Sequence, residues 1–284
     1  MRMRIERGLL LSLTITVHCS AFFVPSGPLL ARARVRDGVR GAPSARLSGR
    51  IAVRACTEPE PVTIWHPDTD APALWVVPAG YEGTKKPPTG AVDLVVSTKD
   101  AWGDGYHPTT ALGLEFLVKH VGLSTQQLLD YGTGSGVLGI AACRLGCQNV
   151  VGVDIDDEAL DEAAANVLEN HIQADHMRLV HTREVIQDLD GIVLRDDPAA
   201  GAMSFDLVVA NILVGPLMKL APVLSLACKV GGRLMLSGLR IEHVDAIQLE
   251  YAKYGIEFDQ MATKTLVQWR QGAEGEGEWA LISG

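Results

Sequence analysis

The stretch from residue 128 to residue 142 limits what this chain can fold into more than any other part of the sequence. It reads LLDYGTGSGVLGIAA, which predicts the end of a buried strand, a loop with three glycines and the start of an apolar helix. Glycine has no Cβ, so the backbone of such a loop and the amino end of the helix can approach a ligand closely. The pattern therefore predicts a small-molecule site at the loop.

A second apolar run ends in the carboxylate of Asp154, 22 residues after Gly132. At about this offset an acidic residue binds the ribose hydroxyls of a nucleoside. The dinucleotide fingerprint needs a glycine where this chain has Val137, and Asp130 would repel a pyrophosphate placed beside the loop. A carboxylate suits a ligand with a cationic end, and S-adenosylmethionine carries an ammonium and a sulfonium. The alternative is an ordinary tight turn, which also contains glycines.

The glycine spacing, with Asp130 before it and Asp154 after the second strand, resembles motif I of the class I methyltransferases. A second glycine-rich loop, residues 101–110, reads AWGDGYHPTT and resembles the signature of the ribosomal protein L11 methyltransferases, which methylate protein amines with S-adenosylmethionine. Trp102 and Asp104 depart from that signature. The alternative for this loop is a helix cap with a structural histidine. The matching residues are Gly103, Gly105, His107, Pro108, Thr109 and Thr110.

A third motif follows the predicted strand of residues 205–210, where the chain reads Asn211, Ile212 and Leu213. It resembles the alanine-asparagine-isoleucine-leucine motif of the same family. Ligands of open parallel sheets bind beyond the carboxyl ends of the strands, so Asn211 is expected at the mouth of the site. Its amide oxygen can accept a hydrogen bond from an amine without ionising. Asparagine at a strand end is also a common turn former.

The family resemblance implies an α/β fold: a Rossmann-like class I methyltransferase with a seven-stranded, mostly parallel sheet and an antiparallel hairpin at its C-terminal edge. It implies that Thr110 contacts the cofactor, that the glycines line its methionyl part, and that Asn211 flanks the methyl group and the amine. Methyl transfer from a sulfonium needs no metal, and no general base is assigned; His107 has a structural role or transfers a proton. The implied cofactor-binding residues are Thr110, Asp130, Gly132, Gly134, Gly136, Asp154 and Asn211.

Hydrophobic patterning predicts the remaining elements. Two short strands are expected around residues 74–77 and 92–96, and an amphipathic helix over residues 156–170 should bury Leu160, Ala164, Val167 and Leu168. Residues 229–233 are expected to form a turn. Further elements are predicted as a strand at 177–180, helices at 216–228 and 241–254, and strands at 234–237, 265–269 and 278–283.

The first 55 residues contain ten arginines, no lysine and two acidic residues, which is typical of a targeting segment. Residues 1–20 resemble a signal peptide and residues 21–55 a transit peptide, an order that resembles the two-part leaders of complex algal plastids; the arginine-rich part alone would indicate a mitochondrion. Residues 56–100 are expected to lead into a catalytic domain at 101–284. Bacterial members of the family carry a separate N-terminal substrate domain; here only residues 56–100 lie between the predicted leader and the catalytic domain, so this chain is expected to lack that domain.

Without the first 55 residues the chain has 15 basic and 32 acidic residues, a formal charge of −17. This charge argues against nucleic-acid binding and favours a basic protein partner, although it could serve solubility alone. No apolar run after residue 55 is long enough to span a membrane. Cys143 and Cys147, four residues apart, are expected to be packed rather than to bind zinc.

These observations favour a protein N-methyltransferase that acts on lysine or terminal amines, with plastid ribosomal protein L11 as the substrate. A protein-lysine methyltransferase with another organellar substrate is the close alternative. From other classes, a nicotinamide-dependent oxidoreductase or a non-catalytic cofactor-binding module remains open. Val137 argues against the oxidoreductase, and Thr110 with Asn211 against the non-catalytic module.

Overall fold

The described part of the chain begins with a small three-stranded sheet. A computed structural model describes residues 60–97, 107–122, 125–188, 191–194, 202–265 and 278–284. Residues 1–59, for which targeting segments are predicted, residues 98–106 with Trp102, Gly103, Asp104 and Gly105, and the glycine-glutamate run near residue 275 lie outside these ranges. The small sheet contains β1 (Val62–Trp65), β2 (Pro72–Pro78) and β3 (Val92–Val96) in that order, with β3 parallel to β2.

Five helices and nine further strands follow. The helices are α1 (Pro108–His120), α2 (Val137–Arg144), α3 (Asp157–Glu169), α4 (Val214–Ala227) and α5 (Val244–Ala252) within the described ranges. The strands are β4 (Gln127–Tyr131), β5 (Asn149–Asp154), β6 (Met177–His181), β7 (Val185–Asp188), β8 (Gly191–Leu194), β9 (Phe205–Asn211), β10 (Cys228–Arg240), β11 (Gln260–Thr265) and β12 (Glu278–Ser283).

Seven of these strands form one sheet in the order β11-β12-β10-β9-β4-β5-β6. The neighbouring strands from β10 to β6 are parallel, and β12 is antiparallel to both β10 and β11. This is the class I methyltransferase sheet that was predicted, including its antiparallel C-terminal edge. The carboxyl ends of β4, β5 and β9 therefore lie side by side at one edge, where a ligand site is expected.

Helices cover both faces of this sheet, which explains why its central strands are apolar on both sides. Leu128 of β4 packs with α1 and α2, while the next residue, Leu129, packs with α4 and α5 on the opposite face. The small sheet shares the first of these cores through Leu74 and Leu94, which are fully buried. Residues 60–97 therefore fold against the helices rather than as a separate body. No helix in the described ranges is long and apolar enough to cross a bilayer.

Some local predictions were wrong. The expected turn at residues 229–233 lies inside β10, where an irregularity in the pairing with β9 accommodates the glycines. On α3 the predicted Leu168 is 74% exposed, and the buried residues are Ala159, Ala163, Asn166 and Val167. The small sheet has a third strand, β1, and the antiparallel pair β7–β8 was not predicted. In each case tertiary packing, which local patterning does not see, decides the outcome.

Candidate functional site

The glycine loop, residues 132–136, connects β4 to α2 at the carboxyl edge of the sheet. Gly132, Gly134 and Gly136 have φ angles of 79°, 53° and 82°, in the left-handed region that side chains disfavour. A Cβ on Gly132 would also collide with the side chain of Ile212, and one on Gly136 would lie 3.2 Å from the Cβ of Ala163 on α3. Glycine is thus required at this loop by both backbone conformation and space.

Hydrogen bonds hold the glycine loop to the end of β5. The amides of Gly132 and Thr133 donate to the carbonyl of Val153 at 2.7 and 2.9 Å. The amide of Gly134 donates to Oδ2 of Asp154 at 2.8 Å, and the amide of Gly136 donates back to the carbonyl of Thr133 at 2.8 Å. The loop is therefore fixed in shape by partners within the protein.

The carboxylate of Asp130 lies beneath the loop and is only 1% exposed. Its Oδ2 accepts from the hydroxyl of Thr133 at 2.7 Å and from the amide of Gly139 at 3.0 Å. Its Oδ1 is buried and has no hydrogen-bond partner. Burial raises the pKa of Asp130 to about 6, although the two hydrogen bonds act in the opposite direction. Asp130 therefore braces the start of α2, and among the described residues its buried Oδ1 keeps an unused capacity to accept a hydrogen bond.

Asp154 ends β5 on the other side of the glycine loop. Besides the bond from Gly134, its Oδ1 accepts from the amides of Ile155 at 2.7 Å and Asp156 at 3.1 Å. The residue is partly exposed, in contrast to Asp130. The carboxylate is therefore oriented by three backbone amides at the rim of the loop, which is suitable for hydroxyl groups of a ligand.

The amino end of α1 is attached to the same edge of the sheet. His107 caps α1, with its Nδ1 accepting from the amide of Thr109 at 3.3 Å and lying 2.7 Å from the Thr109 hydroxyl. Its ring packs edge-on against Trp279 at 4.8 Å. Ser237 of β10 donates to the carbonyl of Thr109 at 3.3 Å, and Thr110 is 2% exposed. These contacts give His107 a structural role at the start of α1.

Residues 211–213, which we call the acceptor segment, leave the end of β9 next to the glycine loop. Asn211 pairs in register with Ser237, and its side chain has no hydrogen-bond partner among the described residues. Ile212 lies between Gly132 and Gly238, since a Cβ on Gly238 would collide with the Ile212 backbone. Leu213 is 71% exposed. The segment offers a polar amide and an apolar side chain to a partner.

The structure thus brings the seven residues implied by the sequence to one edge of the sheet. The glycine loop, which Asp130 supports, is bonded to Asp154 through the amide of Gly134. The same loop lies next to Asn211, because Gly132 contacts the neighbouring Ile212. Thr110 joins them because its neighbour Thr109 is bonded to Ser237, the register partner of Asn211. Sequence reasoning missed Ser237 and Gly238, which lie near the carboxyl end of β10; a glycine directly after the predicted apolar strand at 234–237 was the available signal.

The cysteine pair behaves as packed thiols. Cys143 donates to the carbonyl of His176 at 3.7 Å and Cys147 to that of Asn149 at 3.6 Å. Burial raises the pKa of Cys143 to about 12 and that of Cys147 to about 11, so both remain protonated thiols near neutral pH. Among the residues that the structure describes, no cluster of side chains has the composition of a metal site.

Comparison with known proteins gives a consistent result. Residues 59–271 match the family profile described as ribosomal protein L11 methyltransferase. The chain is 38% identical over 192 residues to the ribosomal protein L11 methyltransferase of Shewanella frigidimarina, covering 68% of this chain and 59% of the relative. It is 38% identical over 205 residues to that of Shewanella baltica, covering 72% and 62%. The chain therefore spans about three fifths of the length of the relatives that it matches.

A solved structure agrees with the sequence comparison. The crystal structure of ribosomal protein L11 methylase from Lactobacillus delbrueckii subsp. bulgaricus superposes with a TM-score of 0.56 at 25% identity, covering 74% of this chain and 93% of that one. The family profile matches more than half of the chain, and it includes the glycine loop, Asp154 and the acceptor segment. On these grounds the chain belongs to the ribosomal protein L11 methyltransferase family.

Proposed function

We propose that this protein transfers methyl groups from S-adenosylmethionine to amino groups of a protein, and that ribosomal protein L11 is the substrate. The observation that carries the proposal is the juxtaposition of a hydrogen-bonded glycine loop, two carboxylates and the side-chain amide of Asn211 at one edge of the sheet. The family names the methyl-accepting protein of the relatives. Lysine or terminal amines are the proposed acceptors.

The residues present fit S-adenosylmethionine. The glycine loop leaves room for a ligand to contact the backbone, because three positions carry no side chain. The unpartnered Oδ1 of Asp130 and the rim carboxylate of Asp154 match the cationic end and the hydroxyl groups of this cofactor in charge and hydrogen-bonding capacity. Bound S-adenosylmethionine would supply a methyl group on a sulfonium, which is transferred by in-line displacement without a metal ion.

The chain itself has to orient a neutral amine and exclude water. Asn211 can accept a hydrogen bond from the amine through its amide oxygen, and it stays uncharged at every pH. Ile155 and Leu213 are 76% and 71% exposed and lie beside Asp154 and Asn211 in the chain. A protein acceptor that covers these side chains would remove water from the site, which favours the uncharged amine.

The acidic character of the chain supports a basic protein as the acceptor. The first turn of α3 carries Asp157 and Glu158 directly after the capping residue Asp156, and all three are exposed near the rim residue Asp154. Ribosomal proteins that bind RNA are commonly basic, so attraction between opposite charges would favour their encounter with this surface.

Incubation of the protein with radiolabelled S-adenosylmethionine and plastid ribosomal proteins tests the proposal. We expect label on an L11-sized band, and its loss in Asp154→Ala, whose cofactor Kd should rise about 10- to 100-fold because charged hydrogen bonds are lost. Asp161→Ala is the matched control, since Asp161 is an exposed carboxylate on α3, outside the glycine loop. Label on a different protein instead would show that this protein, and not L11, is the substrate. Cofactor binding without any labelled protein would refute methyl transfer to ribosomal proteins.

We also propose that residues 1–55 direct the protein to a plastid, with the mitochondrion as the alternative destination. The support is the order of an apolar signal-like core and an arginine-rich, acid-poor stretch in the sequence. Fusion of residues 1–55 to a fluorescent protein in an alga with a complex plastid tests this. Fluorescence in the plastid is expected, and fluorescence in mitochondria alone would overturn the proposal.

A further inference from the structure

Two buried asparagines, Asn166 on α3 and Asn170 at its carboxyl cap, form a feature that the site described so far does not use. Asn166 and Asn170 are 2% and 5% exposed, although asparagine on a helix usually faces solvent. Both side chains point toward β3, the edge strand of the small sheet. A polar side chain this deeply buried is maintained only when its hydrogen bonds are satisfied.

Each asparagine pairs with one residue of the extended chain as a neighbouring strand would. Asn170 accepts from the amide of Val95 at 2.9 Å and donates to its carbonyl at 2.6 Å. Asn166 accepts from the amide of Ser97 at 2.8 Å and donates to its carbonyl at 2.9 Å. The spacing fits, because four helical residues rise about 6 Å and two strand residues about 6.6 Å. The two side chains thus act as a substitute strand for the open edge of β3.

The two asparagines differ in their remaining hydrogen bond. Asn170 donates its second amide hydrogen to the carbonyl of Asn166, within α3, at 2.8 Å. Asn166 donates its second hydrogen to the carbonyl of Ser135, in the glycine loop, at 2.8 Å. Ser135 is fully buried, so its carbonyl depends on partners within the protein. Of the two asparagines, it is therefore Asn166 that joins the glycine loop to Ser97.

We infer that Asn166 is a positioning residue, whose single side chain fixes the glycine loop relative to Ser97 and thereby sets the affinity for S-adenosylmethionine. Ser97 lies thirteen residues before Thr110, so the chain that it anchors leads into the glycine-rich stretch and α1. The Gly136–Ala163 contact places the loop directly on α3, which makes α3 the support for both segments. The effect on affinity rests on the proposed function, whereas the effect on the loop does not.

Asn166→Ala and Asn170→Ala form a matched pair for the test. Each removes three hydrogen bonds and leaves Ser97 or Val95 without its side-chain partner, so both should lower Tm to a similar extent. Hydrogen exchange of the glycine-loop amides in the cofactor-free protein should become about tenfold faster in Asn166→Ala only. Calorimetry should show a Kd for S-adenosylmethionine raised about tenfold in Asn166→Ala and less than about twofold in Asn170→Ala.

The conservative pair Asn166→Asp and Asn170→Asp serves if an alanine variant does not fold. Aspartate keeps the side-chain volume and the oxygen that accepts from the backbone amide, but it removes both donated hydrogen bonds. Equal changes in loop exchange in the two members of a pair would overturn the inference, as would unchanged loop exchange at position 166. If the unsubstituted protein bound no S-adenosylmethionine, the proposed function would fail, while the exchange comparison would still decide the role of Asn166.

Discussion

The glycine loop and the acceptor segment lie at the same edge of the sheet, but they are held in different ways. Amides of the loop donate to the Val153 carbonyl and to the Asp154 carboxylate, and the Asn166 side chain donates to the carbonyl of Ser135. The acceptor segment is held by packing of Ile212 against Gly132 and Gly238, while the next side chain, that of Leu213, is exposed. A small ligand of constant shape favours a preformed site, whereas a protein acceptor needs an open surface that it can cover.

The largest expected effect comes from displacing Ile212, whose side chain joins the acceptor segment to the glycine loop. Gly238→Ala should lower the free energy of unfolding by about 4 kcal/mol, because the new Cβ meets the Ile212 backbone and φ is +82°. Gly231→Ala is the matched control: its φ is +78°, with no atom within 4 Å of the added Cβ. The control should cost about 1 to 2 kcal/mol. Urea unfolding measures both variants. Equal decreases in the free energy of unfolding would show that the close contact with Ile212 adds nothing to the cost at Gly238.

The buried carboxylate of Asp130 beneath the glycine loop should make the free energy of unfolding depend on pH. The folded protein holds a proton on Asp130 up to about pH 6, whereas the unfolded chain releases it near its ordinary pKa, so folded-state stability should fall as pH rises through this window. Asp130→Asn removes the ionisation and should raise the free energy of unfolding at about pH 8 by up to about 3 kcal/mol. Urea unfolding at about pH 4 and pH 8 measures the difference. A variant less stable than the parent at the higher pH would contradict the expectation.

Substitutions at Asn211 and Asp154 should separate the two regions by their effects on kcat and on the Kd of the cofactor. Asn211→Ala should lower kcat about 100-fold, because the amine loses its orienting acceptor, and should leave the Kd for S-adenosylmethionine within about twofold. Asp154→Ala, on the loop side, should show the opposite pattern, with the larger effect on cofactor binding. Steady-state kinetics and calorimetry separate the two. A large rise in cofactor Kd in Asn211→Ala would mean that the acceptor segment also shapes the cofactor site.

The smallest expected effect concerns the exposed apolar side chain of the acceptor segment. Leu213→Ser should raise the KM for the protein substrate about fivefold, since part of a leucine side chain is no longer buried by the acceptor. Leu249→Ser is the matched control, because Leu249 on α5 is also 71% exposed. Equal KM values for the two variants would show that the protein substrate does not cover Leu213.

The difference between the two regions also explains what the sequence could predict. The glycine loop and Asp154 lie within 25 residues of one another along the chain, from 130 to 154, so local patterning and spacing identified them. Ile212 over Gly132 and Gly238 is a contact between distant segments, which no local pattern encodes. Asn166 and Asn170 were missed because polar helical residues are ordinarily exposed, and the predicted face of α3 was wrong for the same reason.

The position of β12 in the large sheet has a consequence for folding during synthesis. Residues 278–283 pair with both β10 and β11, so those two strands cannot be joined before the ribosome has produced the last strand of the sheet. Until then β10 has an open edge, and an unpaired edge strand invites association with other chains. Insertion of β12 between β10 and β11 is therefore the step that protects this edge of the sheet from aggregation.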